Sequence, residues 1–303
     1  MSKIERRERH IRRIRETLGP LQEEHEEAAH DPRTQYNMGK SQNSPVHVPT
    51  FLRQNNGDPA TKVGRPQLYM VSIDLMPAIL LQNFFRKLRA HLLPRIQEVL
   101  NEVPPLEGHP GLRPTLPGTD PEVVNISNTD VDPSEFVFLK NDRIYHHKLT
   151  RFHFTAYDVR RGTDIINPGN SRCNIMLLAN NADTADCRHH FLYARVIGTY
   201  HANVIYTGPG WRDYEARRLD FLWVRWFEVV DPAASGWTRS RLDSVRFPPM
   251  DGENAFGFVD PTDVLRGCHV MPKFANGKRH AGGVGISRCA KDGQDYHRYY
   301  IGR

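Results

Sequence analysis

Apolar and polar positions alternate over short distances in the second half of the chain. From Glu135 onward, runs rich in aromatic and β-branched residues recur and are separated by Gly, Pro, Asn or Asp, a pattern typical of β-strands joined by turns. The densest such block extends from Tyr193 to Phe274. The pattern predicts a mainly β (α+β) fold, built as a barrel or a sandwich, with strands in residues 136–139, 144–157, 173–179, 191–206, 219–230 and 256–274. Asn141-Asp142 and Asn167-Pro168-Gly169-Asn170 predict turns between these strands.

A helical periodicity replaces this alternation just before the predicted strands. Between residues 83 and 100 an apolar side chain recurs at every fourth position, which places one apolar stripe along a helix. Pro94 lies inside this helix and predicts a kink or a split. Residues 102–134 are rich in proline and predict a loop over the surface. We therefore expect residues 83–134 to form an amphipathic helix and a Pro-rich loop beside a β-barrel module at 135–274. The apolar stripe consists of Phe84, Leu88, Leu92, Ile96 and Leu100.

Charge dominates the first 62 residues, which predict a disordered basic and acidic tail with one short helix. The spacing of apolar residues in 3–18 is helical, and Gly19-Pro20 should end that helix. Its arginines indicate a nuclear localisation signal or an arm that contacts DNA. A solvated helix in a flexible tail is the alternative. The six arginines are Arg6, Arg7, Arg9, Arg12, Arg13 and Arg15.

Residues 63–82 interrupt the polar pattern with a nearly uncharged apolar segment. Arg65, Asp74 and two prolines argue against a membrane span, because a charge near the middle of a bilayer is costly. Our hypothesis is a translated intron, since removing the segment joins the linker directly to the amphipathic helix. An ordinary buried apolar segment is the alternative. We expect residues 275–303 to be a C-terminal extension that is truncated within a strand-like run at 299–301.

Composition favours an acidic partner for the chain. The formal net charge is +6, with fifteen histidines that add charge near pH 6. This excess favours nucleic acid, although an ordinary basic protein has the same composition. Hydrophobic residues make up 39% and mean hydropathy is −0.60, which predicts a sizeable disordered fraction. Four cysteines are too few for a disulfide scaffold, so we expect a reduced, intracellular protein. We expect it in the nucleus, with no membrane association and no small-molecule cofactor.

Enzyme-like patterns are weak in this sequence. Structural zinc sites normally contain two pairs of closely spaced ligands, and no C-x-x-C or H-x-x-x-H is present. Buried structural cysteines are therefore the favoured alternative. A metal-dependent nuclease would need acids that converge on strand ends, yet Asp at these places is more often a turn residue. The weak metal candidates are Cys187, His189, His190, Cys268 and His269, and the strand-end acids are Asp142, Asp158, Asp220 and Asp260.

Aromatic and basic residues alternate in the run F-L-W-V-R-W-F at 221–227. Trp223, Arg225 and Phe227 share one face of this strand, and Val224 and Trp226 share the other. An outward-facing first set would form a cation–π surface or stack nucleobases. The alternative places the rings in the core with Arg225 in a salt bridge.

Two further stretches weigh on phosphate recognition. The pairs Arg160-Arg161 and Arg217-Arg218 are candidate phosphate contacts, although surface solubility explains them equally well. Gly282-Gly283-Val284-Gly285 lacks the helix that a dinucleotide-binding motif requires, and predicts a flexible loop.

Two resemblances add to this interpretation. The runs at 39–60, 139–149, 157–168, 193–204, 220–227 and 258–274 resemble transposon-associated (Plavaka and KDZ-type) proteins of mushroom-forming fungi, which implies a mobile-element origin. The order Y-A-R-V-I-G, V-R-W-F, D-V-L-R-G-C-H-V is similar to bromo-adjacent homology domains, which are chromatin-binding β-barrels.

The resemblances and the residues together predict a non-catalytic module that binds chromatin, DNA or a transposon-encoded protein. A remnant of a DDE-type transposase or another metal-dependent nuclease is the alternative. A non-functional transposon relic is the third possibility.

Overall fold

Antiparallel β-sheets dominate the computed structural model, as the alternation predicts. It describes residues 35–38, 43–55, 58–61, 76–102, 132–155, 161–179, 190–208, 213–230 and 242–302, with side chains from residue 84 in the long helix. No helix in these ranges combines the length and the apolar character needed to cross a bilayer.

The largest sheet is centred on one long strand, β7. Its strand order is β11-β8-β7-β3-β2, and β6 pairs with the free part of β7 while β12 pairs with β6. Because β11 and β2 end this order without pairing to each other, the described strands form an open sheet and not a closed barrel. Its strands are β2 (Asn43–His47), β3 (Val137–His147), β6 (Asn174–Leu178), β7 (Phe191–Tyr206), β8 (Arg217–Trp226), β11 (Phe256–Val259) and β12 (Val264–Gly267).

Two smaller sheets complete the fold. The first has the order β1-β4-β5, and the second has the order β13-β14-β10-β9. The last strand, β14, lies inside the second sheet, so residues beyond 274 belong to the β module itself. These strands are β1 (Tyr36–Asn37), β4 (Thr150–Thr155), β5 (Arg161–Ile166), β9 (Glu228–Val229), β10 (Asp243–Arg246), β13 (His269–Pro272) and β14 (Tyr299–Gly302).

Two helices cover one face of the main sheet. Helix α1 spans Val48–Gln54 and helix α2 spans Met76–Asn101. The predicted apolar stripe of α2 is confirmed, since all five of its residues are buried against the sheet. Phe84 contacts Trp223 edge to face, with 5.2 Å between ring centroids. The predicted split at Pro94 is wrong, because α2 continues through it.

The N-terminal region differs from the predicted tail. Strand β2 pairs with β3, and the buried residues Val48, Leu52 and Ala60 join the core beneath α2. These parts of residues 1–62 are therefore ordered, because their apolar side chains complete the sheet and its covering layer. The predicted helix at 3–18 lies outside the described residues. Helix α2 begins within the hypothetical intron and runs across its boundary at residue 82.

Both faces of the main sheet are buried, which the alternation alone does not reveal. Phe221 and Trp223 belong to the cluster beneath the helices. Leu222 and Val224 belong to a second cluster with Phe152 from the β1-β4-β5 sheet. A third cluster joins the end of β8 to the β13-β14-β10-β9 sheet. Consecutive residues of β8 thus enter different apolar layers.

Strand β3 contains an irregularity at Asn141-Asp142, which the sequence predicts as a turn between strands. Both residues adopt left-handed backbone angles, with φ of 58° and 50°. The register to β7 shifts between Leu139 and Ile144, so the segment is a bulge within one strand. The predicted turn at 167–170 is confirmed by the Gly169 N–H, which donates to Asn167 Oδ1 over 2.8 Å.

Gly198 in β7 offers a local test of this packing. A Cβ at this position would overlap the ring of Tyr200, which is buried and lies over Phe221. Gly198→Ala is therefore expected to lower the free energy of unfolding by about 1–3 kcal/mol, the usual cost of overpacking. Urea unfolding followed by circular dichroism measures it. In the control Gly282→Ala the new methyl meets nothing within 4 Å, and equal midpoints for both variants would contradict the expectation.

Candidate nucleic-acid interface

A long excursion connects two neighbouring strands near the end of the chain. Residues 273–298, the basic loop, leave β13 and return as β14, and they contain only two short 3-10 turns. A loop of this length inside a compact domain is commonly functional. Its only acids are Asp292 and Asp295. Its basic residues are Lys273, Lys278, Arg279, Arg288, Lys291 and Arg298.

Asp295 fastens the basic loop to the main sheet. The side chain is 1% exposed, and its two oxygens accept from Arg195 and Arg225 over 2.6 Å each. Tyr299 adds a hydroxyl donor at 3.2 Å. The Arg225 guanidinium is 0% exposed and lies 3.9 Å from the centroid of the Phe247 ring. Burial lowers the pKa of Arg225, and the neighbouring carboxylate opposes this effect.

Asp292 organises the glycine-rich part of the basic loop. Its carboxylate is fully buried and accepts from the N–H groups of Ile286 and Ser287 over 3.0 and 2.9 Å. Burial acts to raise the pKa of Asp292, but these backbone donors outweigh it and the net shift is downward. A Cβ on Gly285 would overlap this carboxylate, so glycine is required there. The N–H groups that could cradle a phosphate therefore already hold the protein's own anion.

A third carboxylate, Asp58 from the N-terminal region, also fixes the basic loop. It accepts from Ser287 Oγ over 2.6 Å and from the Cys289 N–H over 3.0 Å. Burial, with Asp58 nearby, raises the pKa of the Cys289 thiol to about 12. The loop is thus held at both of its inner corners by buried or partly buried acids.

The outer surface of the basic loop carries positive charge alone. All six basic side chains are exposed or half-buried, and within the described part of the chain none forms an ion pair with a carboxylate. Their contacts are neutral: Lys278 donates to Gln294 Oε1 over 3.0 Å and Lys291 to the Pro168 carbonyl over 3.3 Å. Phe274 and Val284 add exposed apolar surface, at 73% and 79%. This surface suits a polyanion.

The predicted aromatic-basic surface of β8 is buried. Trp223, Arg225 and Phe227 are 2%, 0% and 7% exposed, so none of them is presented to a ligand in solvent. Trp223 packs under α2, and Phe227 stacks on Phe247 at 4.1 Å. The alternation along β8 is as predicted, but a second layer covers each side. The correction is that these residues hold the fold together.

The described arginine pair, Arg217-Arg218, differs from the basic loop because its charges are largely neutralised. Arg217 makes two bonds of 2.7 Å to the Asp213 carboxylate, which lower the pKa of that carboxyl. Arg218 donates to Asp220 over 2.8 Å. Arg160, the side chain of Arg161 and the six N-terminal arginines lie outside the described residues and side chains.

The weak metal candidates are not brought together in the described ranges. Cys187 and His189 lie outside them, and His190 is exposed. Cys268 is half-buried, and burial raises the pKa of its thiol to about 12. Across the described residues, no group of three or more His, Cys, Asp or Glu side chains is placed to hold a metal ion. His269 lies on the exposed side of β13.

Two of the four strand-end acids do lie near each other. Arg95 of α2 donates to the Asp220 carbonyl over 2.7 Å and forms an ion pair with Asp260. The Asp220 carboxylate is occupied by Arg218. Asp142 lies in the β3 bulge, and Asp158 is outside the described residues. Both neighbouring carboxylates are thus paired with arginine.

A buried histidine pair lies beside these acids on the main sheet. His147 Nε2 and His201 Nδ1 are 2.6 Å apart, and the His201 ring stacks on Tyr145 with centroids at 4.5 Å. Burial, and then the charge of Arg218, lower the pKa of His201 to about 4. Burial likewise lowers the pKa of His91 to about 4, with Arg95 adding to the effect. The imidazoles of His201 and His91 are therefore neutral at pH 7.

The sequence analysis does not predict the basic loop as an interface, although its excess of basic residues is a signal. Six basic residues against two acids in residues 273–298 is a marked excess, but sequence does not show which charges face inward. The sequence also favoured flexibility for Gly282–Gly285.

Comparison with protein families, with curated proteins and with solved structures finds no match for this chain.

Proposed function

We propose that this chain is a non-catalytic module that binds DNA in chromatin through the basic loop. The observation that carries the proposal is charge segregation within residues 273–298. Both acids of the loop are buried, at 0% and 1% exposure, while its six basic residues are exposed or half-buried and form no ion pair with a carboxylate in the described residues. Neutralising phosphates with such groups releases counterions, which is the main source of affinity for nucleic acid.

The geometry of the loop favours a positioned interface over a loose cationic patch. Asp295, Asp292 and Asp58 each fix a different part of its backbone, so the cations are displayed from a defined scaffold. Phosphate contacts made from such a scaffold set the register of a protein on a duplex. Base-specific readout is not part of the proposal.

Ancestry and location belong to the same proposal. The resemblance to transposon-associated proteins of mushroom-forming fungi and to bromo-adjacent homology domains implies a chromatin-facing β module of mobile-element origin. A nuclear protein with DNA or a transposon-encoded protein as partner is consistent with the arginine-rich N-terminal segment.

Salt-dependent binding of the full chain to duplex DNA tests the proposal. The triple variant Lys278→Gln, Arg288→Gln, Lys291→Gln is expected to lower the magnitude of the slope of log K against log salt by about 2.7, at about 0.9 per lost phosphate contact. Fluorescence anisotropy of a labelled duplex over a salt series measures this slope.

The matched control changes three exposed cations in and just after β3, outside the basic loop: Lys140→Gln, Arg143→Gln, Lys148→Gln. It removes the same charge and should keep the wild-type slope. Equal losses in both triple variants would overturn the basic loop as the interface. Cleavage of the duplex that requires Mg²⁺ and is abolished by Asp260→Asn would instead support the nuclease alternative.

A further inference from the structure

Phe274 is the most exposed large aromatic side chain in the described part of the chain, at 73%. It begins the short 3-10 turn Phe274–Asn276 near the start of the basic loop. A single exposed apolar residue is ordinary at a protein surface. What surrounds this ring therefore decides whether it has a binding role.

The turn that carries Phe274 is held by the returning end of the basic loop. The Lys273 N–H donates to the Arg298 carbonyl over 2.9 Å, and the His297 N–H donates to the Gly277 carbonyl over 3.2 Å. The backbone is therefore fixed on both sides of the turn. A side chain that is presented from a fixed backbone loses less conformational entropy when it meets a ligand.

Two tyrosines connect the Phe274 ring to the anchor of the basic loop. Phe274 contacts Tyr296 edge to face with 5.4 Å between ring centroids, and Tyr296 contacts Tyr299 in the same manner at 6.3 Å. Tyr299 is 3% exposed and donates to Asp295. Because an edge-to-face contact covers at most one face of a ring, the other face of Phe274 is open to solvent.

Lysines lie on both sides of this supported ring. Lys273 directly precedes Phe274, and its Nζ lies 5.2 Å from the centroid of the Tyr300 ring. Lys278 is opposite Tyr296 in an isolated β-bridge. Proteins that bind single-stranded nucleic acid combine these two features, because cations contact the phosphates and exposed rings stack on the bases. In a duplex the bases are stacked on each other, and they offer no face to a protein ring.

We infer that the basic loop binds DNA with unpaired bases, and that Phe274 stacks on one such base while Lys273 and Lys278 contact the flanking phosphates. The inference rests on the proposed DNA binding and adds the class of DNA that binds best, namely single strands and locally melted segments. Stacking on Phe274 is independent of sequence, because every base has a π face.

Fluorescence anisotropy of the full chain with three labelled probes tests the inference. The probes are a single-stranded oligothymidylate, a strand of equal length whose residues are abasic, and a blunt duplex. The oligothymidylate is expected to bind about five- to a hundredfold more tightly than the abasic strand, the usual effect of one stacked base. The two strands carry the same phosphates, so equal affinities would overturn the inference.

Substitutions at position 274 locate the stacking surface. Phe274→Ala is expected to remove the difference in affinity between the oligothymidylate and the abasic strand, whereas Phe274→Tyr keeps a ring and should retain it. Val284→Ala is the matched control, because it removes exposed apolar surface from the same loop without removing a ring. The same loss in Val284→Ala, or an unchanged difference in Phe274→Ala, would contradict stacking on Phe274.

The blunt duplex separates this inference from the proposed function. Phe274→Ala should bind the duplex with the affinity and salt slope of the unaltered chain, since a paired base stays in its own stack. Duplex binding through the basic loop without a preference for the oligothymidylate would overturn the inference alone. Phe274-dependent binding of the single strand without duplex binding would overturn only the duplex part of the proposed function, and binding of no probe would overturn both.

The chemistry of stacking is shared by DNA and RNA, so a final comparison uses oligodeoxyuridylate and oligouridylate of equal length. Similar affinities, or tighter binding of the deoxy strand, would support DNA as the partner. Tighter binding of the ribo strand that is lost in Phe274→Ala would assign the platform to RNA and overturn DNA as its partner.

Discussion

Asp295→Ala is expected to lower the free energy of unfolding by about 3–5 kcal/mol, the usual result of breaking a buried ion pair by removing one partner. The variant leaves Arg225, which is 0% exposed, without its counter-charge. Phe247 lies against the Arg225 and Arg195 guanidiniums at 3.9 and 4.5 Å and offers only partial compensation. Urea unfolding followed by tryptophan fluorescence measures the loss.

The exposed ion pair of Arg246 and Glu228 is the matched control for Asp295. Its atoms approach to 2.9 Å, but both side chains are about half exposed, at 50% and 49%. Glu228→Ala should therefore change stability by at most about 1 kcal/mol. A loss of the same small size for Asp295→Ala would show that Arg225 finds water or another partner. A similar slope of free energy against urea in all variants keeps the comparison valid.

Acidification is the second large expected effect. The pKa of His201 and that of His91 are each about 4 in the folded chain, against about 6.5 for an unperturbed histidine. Between these values the unfolded state binds more protons than the folded state. Stability is therefore fully present above about pH 6.5 and falls as pH decreases toward 4, by a limit on the order of 3 kcal/mol for each imidazole.

The measurement is the free energy of unfolding from about pH 7.5 to 4.5, above the range where most carboxylates titrate. His201→Gln keeps a hydrogen-bonding group beside His147 and removes the titration, so its stability should depend less on pH than that of the unaltered chain. His153→Gln changes an exposed histidine and removes no buried imidazole. If His201→Gln and His153→Gln show the same dependence of the free energy of unfolding on pH, the buried pair of His147 and His201 is not its cause.

Local pattern was sufficient for the elements that a single stretch of chain determines. The predicted strand at 191–206 matches β7 residue for residue, and the spacing from Phe84 to Leu100 matches the buried face of α2. In both cases the apolar residues recur over a long contiguous stretch of chain. The signal is local, so one sequence is sufficient to find it.

Pairings between distant segments were beyond the sequence. Strand β2 joins β3 across 90 residues, and Val46 there is opposite Ile144. No property of residues 43–47 alone identifies β3 as their partner, so the composition there predicts a disordered tail. The open order of the strands, in place of a closed barrel, follows from such pairings too.

The candidate sites depended on a property that sequence does not carry, namely the direction in which each charge faces. Arg225 and Arg288 are the same residue type, yet Arg225 is fully buried against Asp295 and Arg288 is exposed. The burial of Asp292 and Asp295 beneath the loop turns its marked excess of basic residues into a surface without exposed acids.

The contact between Asp58 and Ser287 has a kinetic consequence. It closes a span of 229 positions, so its loop-closure entropy must be overcome before the contact forms. High contact order slows folding, and the strands nearer in sequence can pair earlier. We therefore expect the surface proposed to meet DNA to be completed late in folding, when Asp58 and Ser287 come together.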